Sequence, residues 1–552
     1  LEKEYTPSLR EVHKMNQLPE IKAPEAPGSP VEFSNYLPDY LVPSYYRQLD
    51  ATNYFPGFAT SRKRGYVDFG AGSRLDADAD AGYQVLHSDA DRLSLFGSHR
   101  SSRTAVARLP QKMKINDNIA GVDYRHRFES LQLFAGAQYT RSAFNYYGLL
   151  LWDTPAAYPF IPTENQTDNL FRVHTGIESA ANEAVAYKVN LAYTRFHQKR
   201  GEIAEMPGRT ENRIRADFDL FARFIGVAGA VKHYAYSRTG HPFYDALSGD
   251  PAKTFGRSGY TTLSFNPYLA FGDEERSARL GIRADLQAGG VKTFRLAPDI
   301  RLRWHTSSAV LFYLSAKGGI RDNSLYESYY ENRYLSPAYR LYDSKTPFDG
   351  TVGVRVQPAP DFGMDLFTGY QWVRDEHFFL NTQVLQGMVE NTFAPLTQAI
   401  VPQYAHARAF KLGGEFSYAY QDLLHFGLKW AYRKWHVSRL SGVVPQEAPA
   451  CRLEAWQKPA FTADLAAGLK IPLIPFRVHA AYHLETGRKA LSGNTAVRMK
   501  NIHDLSLKGT YSLSDAFSFF VKLDNLCFQD YDLWYGYPAR KFSLMGGINF
   551  KF

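Results

Sequence analysis

The sequence predicts an all-β protein: a transmembrane antiparallel β-barrel of about 22 strands, roughly 18 to 24 given boundary errors, with both termini periplasmic. Three observations predict it. Apolar and polar residues alternate at period two from Arg64 onward, alternate connections are short while the intervening ones are mostly long, and the last strand ends on phenylalanine. No uninterrupted apolar stretch approaches the roughly 18 residues of a membrane-spanning helix; Phe224 to Val231, among the longest, stops at Lys232. Barrel strands escape that filter because every second side chain faces the lumen, so a mean hydropathy of -0.36 is compatible with spanning a bilayer.

Residues 1–61 stand apart. They are rich in proline (LPEIKAPEAPGSP, then LPDYLVPSYY) with little periodicity, which predicts an extended arm, periplasmic or lumenal. The chain opens on Leu1 without a cationic-then-apolar leader, so a processed or trimmed chain is expected, without an N-terminal lipid-modified cysteine. Residues 62–552 read as one barrel. In 212–224, Ile214, Ala216, Phe218, Leu220, Ala222 and Phe224 oppose Arg213, Arg215, Asp217, Asp219 and Arg223. In 278–288, Ala278, Leu280, Ile282, Ala284, Leu286 and Ala288 oppose Arg279, Arg283, Asp285 and Gln287; in the next segment Phe294, Leu296, Ile300, Leu302 and Trp304 oppose Arg295, Asp299, Arg301, Arg303 and His305. The segments run roughly 10 to 16 residues, the length a tilted membrane strand needs.

The connections test this independently. Short ones fall around Glu129, Asn182, Ile225, Asp273–Arg276, Ser307–Ser308, Pro360–Asp361, Gln421–Asp422, Pro472 and Ser514–Asp515; long ones fall at about 101–113, 144–165, 200–209, 240–255, 322–346, 379–404 and 439–459. Short turns on one side and long loops on the other describe an outer-membrane barrel of a Gram-negative envelope, its turns periplasmic. A large soluble β-sandwich or propeller array has no reason to sort its loops by length.

Composition narrows function by exclusion. The 552 residues carry 15% aromatics, which excludes a disordered chain, and only two cysteines, which excludes a disulfide scaffold. The net charge of +9 is scattered, so no nucleic-acid partner is expected; the cluster Arg62-Lys63-Arg64 reads as a solvated terminus or a lipid head-group contact. Outer-membrane lipids, lipopolysaccharide among them, are the expected surroundings.

The closing segment, residues 541–552, places Phe542, Leu544, Ile548, Phe550 and Phe552 on one face. A final strand of this kind, with Phe550 and Phe552, resembles the signal read by the barrel-insertion machinery. Residues 522–552, with Asn525, Leu526, Tyr531, Gly536, Tyr537, Pro538 and Phe552, resemble the last two strands of TonB-dependent receptors. The start and the later SLFGSHRSS look like plugless receptor-like barrels of Bacteroidota type. The resemblance implies a barrel of 22 strands and a transport role. It also sets a contrast, because a plug domain takes well over a hundred residues before the barrel. With about 61 residues there, loops, the arm or a partner are expected to occlude the lumen.

The remaining constellations carry little chemistry. In DADADAG, residues 76–82, Ala81 and His87 stand where an EF-hand needs glycine and glutamate, so Asp76, Asp78 and Asp80 read as lumenal or rim polarity. His479 and His483, four apart on a strand, lie about 13 Å from each other, too far to share zinc. No metal, cofactor or catalytic site is expected; Asp273, Glu274 and Glu275 fall in a turn, and Cys451 and Cys527 read as two unrelated thiols, with a disulfide left open. Two features remain. Arg279, Arg283, Arg295, Arg301 and Arg303 form a lumenal wall partly balanced by Asp285 and Asp299, which either attracts anionic solutes, binds a plug-like element or compensates itself. Tyr326, Tyr329, Tyr330, Tyr334, Tyr339 and Tyr342, with Trp152 in NYYGLLLW, make loops too apolar for water, suited to packing in the lumen or to a partner. Two functions follow: a non-enzymatic channel or transporter, or a scaffold subunit holding surface lipoproteins or other envelope proteins in an insertion or export machine.

Overall fold

The computed structural model describes residues 63–109, 112–148, 165–180, 184–200, 208–237, 259–273, 275–289, 292–335, 341–381, 400–440, 453–492 and 495–552. The arm, Trp152, Tyr339, Glu274 and Cys451 lie outside the described residues. In chain order the strands are β1 (Gly65–Gly72), β2 (Ala77–His87), β3 (Asp91–Ala105), β4 (Lys112–Arg127), β5 (Leu131–Phe144), β6 (Gln166–Ser179), β7 (Val185–Gln198), β8 (Thr210–Ala222), β9 (Ile225–Tyr236), β10 (Gly259–Gly272), β11 (Arg276–Ala288), β12 (Thr293–Ser307) and β13 (Val310–Arg321). There follow β14 (Ser344–Ala359), β15 (Phe362–Asn381), β16 (Ile400–Tyr420), β17 (Leu424–Leu440), β18 (Phe461–Ile471), β19 (Phe476–Thr486), the hairpin β20 (Lys489–Ser492) and β21 (Thr495–Arg498), β22 (Ile502–Ser512), β23 (Phe517–Asp524), the hairpin β24 (Asp532–Trp534) and β25 (Tyr537–Pro538), and β26 (Ser543–Lys551).

Each barrel strand pairs antiparallel with the next along the chain, and β26 closes on β1, giving a 22-stranded sheet without an edge. Closure is knitted at the C-terminus: the amides of Arg64 and Gly65 both donate to the Phe552 carbonyl at 2.8 Å, and the Phe552 amide returns a bond to Gly65 at 2.9 Å. A Cβ on Gly65 would stand 2.6 Å from the Phe552 ring, which would have to swing aside to admit it. Both chain ends of the barrel lie on the short-turn side, as the alternation predicts.

Register follows from which face meets lipid. Across β11 and β12, Leu280 pairs with Ile300 and Ala278 with Leu302, while Arg279 pairs with Arg301 and Asp285 with Arg295. The apolar set is outward: Ile282, Phe294 and Leu296 are each 60% exposed. A slip of one residue would turn every arginine into the bilayer, at about 2–4 kcal/mol each near the midplane, so the pairing is strongly specified.

Strand ends are where expectation and structure part. Barrel-strand length spans 8 residues in β1 to 21 in β16, with β15 at 20. Arg223 has φ +58 and, with Phe224, makes the β8–β9 turn and does not extend the strand. At β13, the pairing with β14 shifts between Lys317 and Gly319, and Gly319 has φ +132. That bulge frees the Ile320 amide to donate to Asp285 Oδ2 at 2.7 Å.

Candidate functional site: a loop-built cap over a charged lumen

At about 4.8 Å per strand and a tilt near 40°, 22 strands enclose a barrel roughly 45 Å across, too wide for wall side chains to fill. The long-loop end is filled by the loops themselves. Residues 145–148, 322–335, 341–343, 453–460 and 525–542 share one apolar cluster with the upper wall, including Phe144, Tyr147, Leu325, Tyr334, Phe379, Trp456, Trp534 and Tyr537. At its centre three tyrosines from three loops meet. The Tyr334 and Tyr537 rings stack 4.3 Å apart, and Tyr147 stands edge-on to them at 5.5 and 5.3 Å, its hydroxyl donating to the Pro538 carbonyl at 3.0 Å.

The 322–335 segment reaches across the lumen from wall to wall. It is built on a seven-residue helix, α1 (Leu325–Glu331), whose N-cap Ser324 accepts the Glu327 amide at 3.1 Å. Around it, each wall supplies a partner. The Leu325 amide donates to Glu211 on β8 at 2.6 Å, Arg213 reaches Glu327 at 2.8 Å, and Arg172 on β6 reaches the Tyr326 hydroxyl at 3.1 Å. On the opposite side Glu331 meets His377 of β15 at 2.5 Å. Arg333, 2% exposed, donates to Asp117 of β4 at 3.0 Å, and burial pushes its guanidinium down to about 9. The loop's stems are tied as well: Asp322 accepts from Lys232 at 2.6 Å and Asp343 from Gln287 at 2.6 Å.

The second support is Glu376, 2% exposed, which takes Arg321 at 2.9 Å and Lys458 at 2.5 Å. Lys458 belongs to the 453–460 loop, so this carboxylate joins loop to wall. The 525–542 loop hangs on Arg488, which donates to the carbonyls of Leu533 and Asp532, both at 2.8 Å, and on Asn525, whose amide nitrogen reaches Gln529 and Arg540 carbonyls at 3.1 and 3.2 Å. A recess bounded by Asp117, Tyr334, Asp504, Tyr531 and Arg540 has room for several waters.

Below the cap the lumen is charged and wet. Lys188, Arg215 and Lys429 on its wall are 49, 50 and 58% exposed. The predicted arginine wall lies here. Arg279 stacks on Tyr268, 3.4 Å from its centroid, and reaches Asp299 at 3.2 Å; Arg283 reaches Asp285 at 2.8 Å; Arg301 approaches Asp299 at 3.7 Å and is 41% exposed. Arg295 pairs in register with Asp285, and Arg303 with Tyr313 and Ser277.

The other sequence-selected residues divide clearly. Tyr329 and Tyr334 are buried in the cap, Tyr326 packs against it, Tyr342 meets the Tyr404 ring at 5.1 Å, and Tyr330 is 40% exposed. Phe550 and Phe552 face outward, 43 and 49% exposed. Asp76 is buried within 3.7 Å of Arg540, and Asp78 meets Arg100 at 3.6 Å. His483 binds Asp464 at 2.6 Å and Glu485 at 3.2 Å, and among the described residues no group of ligands is arranged for a metal ion. Asp273 Oδ1 accepts the amides of Glu275 and Arg276, a turn-forming role, and Cys527 is exposed. Sequence reading missed α1, although Ser324-Leu-Tyr-Glu327 carries the S-x-x-E spacing of a capping box. It also missed Glu376, Lys458, Arg333 and Arg488, which no local pattern marks.

No family model and no curated protein matches the chain. Among solved structures, the siderophore receptor PirA from Acinetobacter baumannii superposes with a TM-score of 0.63 at 11% identity, over 90% of this chain and 81% of that one. The FrpB iron transporter from Neisseria meningitidis gives 0.63 at 10% identity, over 89 and 82%, and the copper transporter OprC gives 0.59 at 13%, over 89 and 80%. At these identities the likeness establishes a shared fold: this chain is built as a closed 22-strand antiparallel barrel of the kind those receptors and transporters use.

Proposed function

We propose that the protein is a non-enzymatic, transporter-type barrel of the Gram-negative outer membrane, with its short turns and chain ends periplasmic. Its lumen is shut at the outer end by its own loops, so a solute passes only when the cap yields. The observation that carries this reading is the cap's construction: three loops meet on three tyrosines, held to the wall by ion pairs and hydrogen bonds that can break and re-form, above a lumen whose charges remain in water. The barrels it resembles include a siderophore receptor and metal transporters, which supports transport without naming a solute.

The rival is a scaffold whose lumen never opens. It draws on the same cap, since a core this well packed also suits a rigid platform for surface proteins. Planar-bilayer recording separates them. Wild-type protein is expected to be closed, and Tyr334→Ala with Tyr537→Ala to conduct in steps of the size of a wide pore. A variant that folds and stays silent removes the gated-pore reading, and stoichiometric co-purification of envelope lipoproteins in mild detergent would then establish the scaffold.

A further inference from the structure

The outward face of β3–β8 is apolar in its lower part and then changes character, on β3 and β4 through His99, Ser101, Asn116 and Asn118. Leu95, Leu191 and Ile214 are 46, 51 and 50% exposed, and one level higher come Tyr139 and Phe171, 46 and 41% exposed, with the Tyr139 hydroxyl on Asn169 at 2.8 Å. Aromatic rings with a polar tip mark the head-group level of a bilayer. At their level or above, on the same parity, stand Arg103, Lys112, Lys114, Arg141, Arg195 and His197. Arg103 is eight residues on from Leu95 along β3 and pairs directly with Lys114; Arg141 is two on from Tyr139; Arg195 pairs with Phe171.

The sign of this face is not accidental. Among β3–β8 its only acid is Asp91, at the opposite, short-turn end, where His126 binds it at 2.7 Å. The remaining acids of these strands, from Asp117 to Asp219, all fall on the lumen parity. On the lumen side, by contrast, carboxylates are at hand: Arg100, Arg213 and Arg215 each meet one. Among the described residues, Arg103, Lys114, Arg141 and Arg195 meet none. Arg103 and Lys114 are moreover directly opposite, with Cβ atoms about 5 Å apart, an arrangement that repels unless an anion lies between. By strand spacing neighbouring cations fall roughly 5–14 Å apart, so adjacent ones match the charge spacing of a multiply phosphorylated head group.

We propose that this outer wall, on the long-loop side of β3–β8, binds the phosphorylated head group of an outer-leaflet glycolipid whose acyl chains lie on the apolar belt below. The assignment rests on the outer-membrane reading but not on transport, and its test uses no conductance. Delipidated protein in neutral detergent is titrated with diphosphorylated lipid A, its fully dephosphorylated counterpart, and inorganic phosphate, with bound lipid read by native mass spectrometry. The expected result is binding of the phosphorylated lipid only, weakened by salt, and lowered at least tenfold in a variant carrying Arg103→Gln, Lys114→Gln, Arg141→Gln and Arg195→Gln. The lumenal variant Arg301→Gln should bind as wild type. Equal binding of the dephosphorylated lipid, displacement by equimolar phosphate, or full binding by the quadruple variant would overturn the proposal. Should the quadruple variant fail to fold, Lys114→Gln carries the test: it relieves the repulsion with Arg103, so it should fold at least as stably without lipid yet bind lipid more weakly, and an unchanged affinity overturns the site.

Discussion

Glu376 is buried among two cations and a histidine: Arg321 at 2.9 Å, Lys458 at 2.5 Å and His377 at 3.8 Å. Surrounding positive charge offsets the cost of burying this carboxylate, and by the same logic its removal strands two cations away from water. Glu376→Gln is therefore expected to weaken cap closure by about 3–5 kcal/mol while leaving the barrel folded, because the barrel ladder does not depend on it. Hydrogen exchange resolves the two: amides of 453–460 and 325–335 should exchange faster, with those of β11 and β12 unchanged. Faster exchange throughout the barrel would mean that Glu376 supports the wall and not the cap.

At the scale of elements, α1 is too short to hold itself together; a helix of seven residues is marginal in water, and its order comes from tertiary contacts on β6, β7, β8 and β15. Ser324→Ala removes its cap bond and should cost about 1 kcal/mol locally, a roughly fivefold rise in exchange at 325–331. If the three tyrosine-bearing loops open as one unit, the amides of 531–537 rise with them. A rise confined to α1 would show that the loops open separately. The 525–542 loop has its own device: Asn525, with φ +51, folds its side chain back to the Gln529 amide and carbonyl at 3.1 Å each, so the residue that carries part of the family resemblance also shapes the turn into the cap.

For the whole molecule, the division of labour is vertical. Apolar residues face lipid along the belt, charges of both signs line the lumen, cations with no acid partner among the described residues crown the outer wall on one side, and aromatic loops pack together at the outer mouth. Arg301 and Arg303 sit below the seal, where solvent reaches them, and so influence ions only once it opens. In a Tyr334→Ala, Tyr537→Ala background, adding Arg301→Ala and Arg303→Ala is expected to shift the reversal potential toward cation preference. An unchanged reversal potential would assign those arginines to structural pairing with Asp299 and its neighbours alone.

Strand number, the face of each strand, and the side on which the chain ends emerge were legible because period-two alternation is local: each residue's neighbours two positions away report its environment. The same parity put Arg279, Arg283 and Arg301 in the lumen and Phe550 and Phe552 on the lipid side. What alternation cannot encode is who meets whom across the mouth. Tyr146 binds the Leu335 carbonyl 189 positions away, Arg333 binds Asp117 across 216, and Tyr147 binds Pro538 across 391. Those contacts leave no periodic trace in any one segment, because each loop has no regular repeat and gains its shape only against the others. Sequence alone determined that this chain makes a wide closed barrel in a bilayer. Only the tertiary structure decided that loops far apart in the chain meet on one core at the long-loop end, since that outcome depends on surfaces brought together by ring closure of the sheet.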